Sequence, residues 1–348
     1  MSATIFRGRQ AAAIENEHLR VTVLREGGHI AEIFAKRAGI SPLWIPPWAS
    51  IEPSSYELSK HPEYGSDSEA KLLAGIMGHN LCLDFFGGPS AEEVAAGLTV
   101  HGEGSVVPYE ITERDGTLVA KAHLPLAQIN FERSIELRDR TLKIRESVEN
   151  LAAWDRPIGW TQHVTLGPPF IAAGTTQLRA SVTRSKVSEI DFGANMHLKQ
   201  AAEFDWTMAP LSAGGVADLR TLSAAPASSE YTLHLGDRRR EDEFFVAFSP
   251  KFRLALAYIW KREDFPWLGM WQENCSRDTP PWNGRTITLG LEFGVSPVPE
   301  SRRAMVERGR LFDVPGCRWI PAKGRLEAEY WAITQSADQI PESIVWPA

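Results

Sequence analysis

The chain has 348 residues with 37 Lys plus Arg against 44 Asp plus Glu, a mildly acidic balance that leaves no basic footprint for nucleic acid or an anionic membrane. Its three cysteines, Cys82, Cys275 and Cys317, lie far apart without a CxxC pair, which argues against a disulfide framework or a structural zinc site and predicts a cytoplasmic protein. The N-terminus lacks the apolar core of a secretory leader, and no run approaches the ~20 apolar residues of a membrane-spanning helix.

In chain order, alternation at Leu19, Val21 and Val23, a Gly27-Gly28 break and an apolar resumption from Ile30 to Phe34 predict a hairpin-like pair of strands. Residues 42–53 are too proline-rich for a helix or a central strand and predict a long loop over one end of a sheet. An apolar stretch at 72–86 carries His79 and Asp84, and a helical turn at 91–96 precedes His101. Period-two alternation then predicts strands at 107–112, 118–123, 131–137 and 142–150, with Asp115-Gly116 and Asp139-Arg140 as turns. Further strands are expected at 160–166, 177–187, 231–235, 244–248, 253–260 and 285–295, with a short helix at 300–308. The 325–334 segment reads as a strand or a helix. There is no βαβ alternation, no repeat and no compositional break, so an all-β chain forming a single domain over 1–348 is expected.

Twelve tryptophans are many for this length, and an indole face stacks on the C–H face of a sugar as readily as it fills a core. The chemistry-bearing stretch is DRPIGWTQHVTLGPPF. As a strand it sends Thr161, His163 and Thr165 to one face and Trp160, Gln162 and Val164 to the other. Histidine titrates near neutrality, so His163 on a concave face could give or take a proton; a hydrogen-bonded core histidine is the alternative. In RTITLGLEFGV the apolar face is Ile287, Leu289, Leu291 and Phe293, while on the other face Gly290 and Gly294 flank Glu292 and leave room beside a carboxylate. Upstream, Trp271 and Gln272 offer an aromatic platform beside an amide, a usual way to hold a sugar and its hydroxyls. Glu273 is a competing carboxylate, ranked second because it is expected on a loop.

Taken in order, these segments resemble the aldose 1-epimerase (galactose mutarotase-like) superfamily. NEHLRVTVLREGGHIAEI is similar to its opening strands, GIMGHNLCLDFFGGPS with HGEGS to its glycine- and aromatic-rich segment before a His-Gly motif, GWTQHVTLGPPF to its acid-histidine strand and TLGLEFGVSPVP to its base-glutamate strand. The resemblance spans nearly the whole chain. It implies a β-supersandwich of antiparallel sheets with the site in a concave face, and acid–base isomerisation of the anomers of a free sugar without a cofactor. It makes His163 and Glu292 the catalytic acid and base and His101 a sugar-binding histidine; the HNLCLDF stretch is unusual in inserting His79 and Asp84 near the expected site, and these two join Trp271 and Gln272 as expected substrate contacts. One departure stands out: Ser105 occupies the position of the family's arginine, so that contact is absent or supplied elsewhere. The partner expected is a small-molecule sugar, with the protein a monomer or homodimer. Two rival readings follow from the same residues: a non-catalytic sugar-binding protein, and a metal site built from His79, His101, His163 and Glu292, for which no HxH or HExxH spacing speaks.

Overall fold

The structure, a computed structural model, describes residues 4–190, 192 and 195–347. Two antiparallel sheets dominate it. Among the described residues the larger has twelve strands, and its middle runs Ile30–Ala35, His79–Asp84, Arg156–Leu166, Ile287–Gly294, Trp267–Asn274, Ser228–Gly236, Val182–Val187. The smaller has eight: Gln177–Ala180, Asp242–Ser249, Leu254–Lys261, Arg325–Ser336, Thr141–Asn150, Ile129–Arg138, Thr117–Leu124 and Glu110–Arg114. The all-β expectation is met.

The core lies between the sheets because each strand of the larger one turns its alternate apolar residues inward. Trp160 and Val164 from one strand and Leu291 and Phe293 from its neighbour share a hydrophobic cluster with Tyr258, Trp260 and Tyr330 of the smaller sheet. Phe293 stacks on Trp260 with ring centroids 4.3 Å apart and planes 13° from parallel. The opposite face of the larger sheet is left to carry the site.

Several elements differ from the sequence expectation. The 177–187 run is two strands in different sheets, Gln177–Ala180 and Val182–Val187, parted at Ser181. The apolar stretch at 72–86 divides into a short helix, Ala70–Leu73, and the strand His79–Asp84. Trp267–Asn274 is a buried central strand that alternation did not reveal, since it is apolar or aromatic on both faces and adjoins a proline-rich loop. Arg325–Ser336 is a strand, and the last helix begins at Arg302, where the Ser301 hydroxyl caps it by accepting from the Ala304 amide at 3.3 Å.

A buried polar network crosses the inter-sheet core directly behind the histidine strand. Arg133 Nε donates to Glu146 Oε1 at 2.7 Å, Arg133 Nη2 to Gln162 Oε1 at 3.2 Å and Arg133 Nη1 to the Gly28 carbonyl at 3.0 Å. The other Glu146 oxygen accepts from Trp160 Nε1 at 2.9 Å and Gln162 Nε2 at 2.6 Å, while Tyr330 donates to Glu146 Oε1 at 2.8 Å. Such a pair survives burial only because nearly every donor and acceptor is matched. Removing one partner strands the other charge in the core. Arg133→Met is therefore expected to lower unfolding free energy by roughly 3–5 kcal/mol with an unchanged m-value in urea titration. A loss below about 1 kcal/mol would show that Glu146 is held by its other partners alone.

Candidate active site

His163 and Glu292 meet because the Arg156–Leu166 and Ile287–Gly294 strands pair antiparallel in one register, with His163 directly across from Glu292. Both side chains leave the sheet on the face away from the core, and His163 Nε2 lies 3.0 Å from Glu292 Oε1. His163 Nδ1 is 2.8 Å from the Thr165 hydroxyl, two residues along the same strand and face. Two glycines make the room. A Cβ on Gly290 would lie 2.3 Å from Glu292 Oε1, and one on Gly269, the residue paired with Glu292 on its other side, would lie 2.1 Å from the Tyr231 hydroxyl. Ordinary side chains at these positions would drive the carboxylate and the phenol out of place.

Above this pair opens a cavity of about 350 Å³ whose lining includes His101, His163, Trp271, Arg277, Trp282 and Glu292. His101 sits in a left-handed turn at φ 67°, its ring stacked on Phe86 at 6.0 Å and 5.0 Å from the ring of His163. Burial, then the neighbouring His163, holds the His101 imidazole well below its ordinary pKa, so it is a neutral hydrogen-bonding group. Trp271 lies 6.1 Å from His163, ring to ring. His101 Nδ1 and Trp271 Nε1 are buried without a hydrogen-bond partner among the described residues, an arrangement that suits a hydroxyl-bearing ligand. Tyr231 also lines the cavity, with its phenol pushed well up by burial and by Glu292.

Of the residues expected in the site, the structure brings His101, His163, Trp271 and Glu292 together. It takes His79, Asp84 and Gln272 out. His79 points into the inter-sheet core, donating from Nε2 to Gln162 Oε1 at 3.0 Å and accepting at Nδ1 from the Tyr258 hydroxyl at 3.2 Å. Its burial holds it well below the ordinary imidazole value. The reason is strand parity: Asn80, not His79, stands across from His163 on the cleft face, with both amide atoms buried and unpartnered among the described residues. Gln272 fails for the same reason, being adjacent to Trp271 and hence on the other face, where its Oε1 accepts from the Ser223 amide at 3.1 Å. Asp84 ends its strand in ion pairs with Arg156, at 2.5 Å, and with Arg302. Glu273 belongs to a strand rather than a loop, and its carboxylate accepts from the Ser276 amide at 2.5 Å and the Ser276 hydroxyl at 2.7 Å. With His79 across the sheet, the imagined metal-ligand set does not converge.

Ser105 is fully buried and donates to the Leu81 carbonyl at 2.6 Å, so it offers nothing to the cleft. The cation that does line the cavity is Arg277, which lies over Trp282 at 4.7 Å and Trp271 at 5.5 Å from their ring centroids. Neither Arg277 nor Asn80 was singled out from the sequence. Asn80 could have been found by counting alternate residues from the strand end; Arg277, three residues past a strand, carries no local signal.

No family model matches the chain, and no curated protein does. Solved structures do. A candidate aldose 1-epimerase from Klebsiella pneumoniae subsp. pneumoniae superposes with a TM-score of 0.68 at 12% identity, covering 95% of this chain and 80% of that one. A galactose mutarotase-like protein from Clostridium acetobutylicum gives 0.60 at 13% identity over 96% and 98% of the two chains. A galactose mutarotase related enzyme from Lactobacillus acidophilus gives 0.58 at 13% over 95% and 99%. The fold is therefore galactose mutarotase-like; identities this low speak to fold alone.

Because a Cβ on Gly290 would overlap Glu292 Oε1, Gly290→Ala is expected to move the carboxylate away from His163 at a stability cost of about 1–3 kcal/mol. The check is the imidazole ¹⁵N spectrum of His163 together with urea unfolding. An unaltered His163 spectrum would contradict the close contact.

Proposed function

We propose that the protein is an aldose 1-epimerase-like isomerase that interconverts the anomers of a free sugar, with His163 and Glu292 as its proton-transfer pair. The observation that carries this reading is the 3.0 Å approach of His163 Nε2 to Glu292 Oε1 on the floor of an aromatic-walled cavity. The galactose mutarotase-like fold of its structural neighbours adds support.

The reaction needs one acid and one base at a single carbon. The mechanism starts from an acid at His163 and a base at Glu292, with Nδ1 2.8 Å from the Thr165 hydroxyl and Nε2 3.0 Å from Glu292 Oε1. A bound sugar offers its ring oxygen to Nε2–H and its C1 hydroxyl to Glu292. Glu292 takes the hydroxyl proton as His163 protonates the ring oxygen, the C1–O bond to the ring breaks, and an aldehyde forms. After a half-turn about the C1–C2 bond, attack by the freed hydroxyl on the other face of the aldehyde runs both transfers backwards and restores the pair. With Nδ1 engaged by the Thr165 hydroxyl, Nε2 is the nitrogen left to exchange a proton with the sugar. Trp271 and Trp282 wall the cavity with apolar surface for the ring, and the unpaired His101 Nδ1 offers a partner for a hydroxyl.

Glu292→Gln keeps the size and most hydrogen bonds but accepts no proton. Anomer exchange, followed by polarimetry or by NMR of the anomeric protons, is expected to fall roughly 10²–10⁴-fold while calorimetric sugar affinity persists. A protein that only binds sugar gives the opposite result: affinity weakened by about 1–3 kcal/mol on losing a charged partner, and no catalysed exchange in either form. Turnover unchanged at saturating sugar would remove Glu292 from the mechanism.

A further inference from the structure

The proton transfers use His163 and Glu292 and leave Arg277 without a part. Its placement is nonetheless built. The buried Glu273 carboxylate, already fixed by Ser276, accepts from the Arg277 backbone amide at 3.2 Å, and the guanidinium lies over the Trp282 and Trp271 rings at 4.7 and 5.5 Å. Yet its charge is poorly answered. Two carboxylates lie near the guanidinium but neither at the ~2.7–2.9 Å of a charge-assisted hydrogen bond: Nη1 reaches the Glu69 oxygens at 3.4 and 3.5 Å, Nε lies 3.9 Å from Glu273 Oε2, and Nη2 makes no hydrogen bond among the described residues.

We propose that Arg277 determines specificity in this cavity, and that the sugar it selects bears a carboxylate, as a uronic acid does. The inference rests on the sugar-isomerase reading for the identity of the ring, and on Arg277 for the anion. A planar guanidinium fork matches a carboxylate with two parallel N–H···O bonds, and a half-desolvated cation over two indoles gains more from such a partner than from a neutral hydroxyl. Charge balance chooses carboxylate over phosphate. Arg277 is the one arginine or lysine among the described residues lining the cavity, which also holds Glu69 and Glu292. One guanidinium answers a monoanion that displaces Glu69, whereas the second charge of a phosphate would face Glu69, Glu273 and Glu292 with no further arginine or lysine to meet it. Geometry agrees. The carboxylate of a uronic acid hangs from the carbon bonded to the ring oxygen, and the ring oxygen belongs at His163. Trp271 stands 6.1 Å from His163 and lies against Arg277, which puts the guanidinium on the Trp271 side of the proton-transfer pair, the side to which such a carboxylate would have to point.

The test is isothermal calorimetry of the full chain with galacturonate, glucuronate, galactose, glucose and galactose 6-phosphate, with polarimetry run on the same samples. The wild-type protein is expected to bind a uronate tighter than its neutral counterpart by roughly tenfold or more, the span of a charged hydrogen-bonded contact. Arg277→Gln should erase that preference while changing neutral-hexose affinity less than about threefold, and Glu69→Gln, which frees the guanidinium, should tighten uronate binding. Equal or tighter binding of neutral hexoses, tighter binding of the phosphate, or an equal loss for both sugar classes in Arg277→Gln would overturn the proposal. Should Arg277→Gln fail to fold, Glu69→Gln decides, since it leaves Arg277 in place: tightening supports, and no change or weakening refutes. Arg277-dependent uronate binding without catalysed exchange would discard the isomerase reading and keep this one. Exchange of neutral hexoses indifferent to Arg277 would do the reverse.

Discussion

The whole site depends on strand register. Side chains alternate between faces with a period of two, so His163 is in the cleft only because Gln162 is in the core, and a slip of one residue would exchange them. Gln162 is tied down by Glu146, Arg133 and His79 at 2.6, 3.2 and 3.0 Å, groups that have no counterpart on the cleft face. The same holds one strand over, where Leu291 and Phe293 belong to the core and Glu292 between them does not. Pairing then places His163 and Glu292 opposite each other without any loop having to be held in position.

The polar network behind the sheet is an expensive way to hold a strand. An apolar core of the same volume is often as stable as a buried ion pair. What the network adds is discrimination. Glu146 accepts from the side chains of both Trp160 and Gln162, i and i+2 on one strand, and no other register presents both donors to it. Charges are thus fully matched on the side that must stay closed. On the open side His101, Trp271 and Asn80 keep unmatched polar atoms. A ligand site needs that imbalance.

Fold and function separate here in an instructive way. Neighbours at 12 or 13% identity share the architecture over nearly the whole chain, which accounts for the sheets but not for the residues in the cleft. The arginine absent at Ser105 illustrates the point. Its place is sealed into the protein by the Leu81 carbonyl, and the cavity's cation comes instead from Arg277, on another strand's loop.

Alternation alone was enough to read the all-β class, most strands and the faces of the histidine and glutamate strands, because a half-buried strand writes its two environments into every second residue. The positions of His163 and Glu292 followed from that. Trp267–Asn274 did not, since a strand at the centre of a sheet, apolar on both sides, carries no such contrast. His79 and Gln272 were placed in the cleft by their chemistry, against the parity of their own strands, where Asn80 and Trp271 hold the facing positions. Tertiary structure alone decided the rest. That Asp84 binds Arg156 and Arg302, and that Ser105 lies buried against Leu81, are contacts across 24 to 218 residues of chain. No local pattern encodes them, because the partner's distance in sequence leaves no trace on either residue's neighbours.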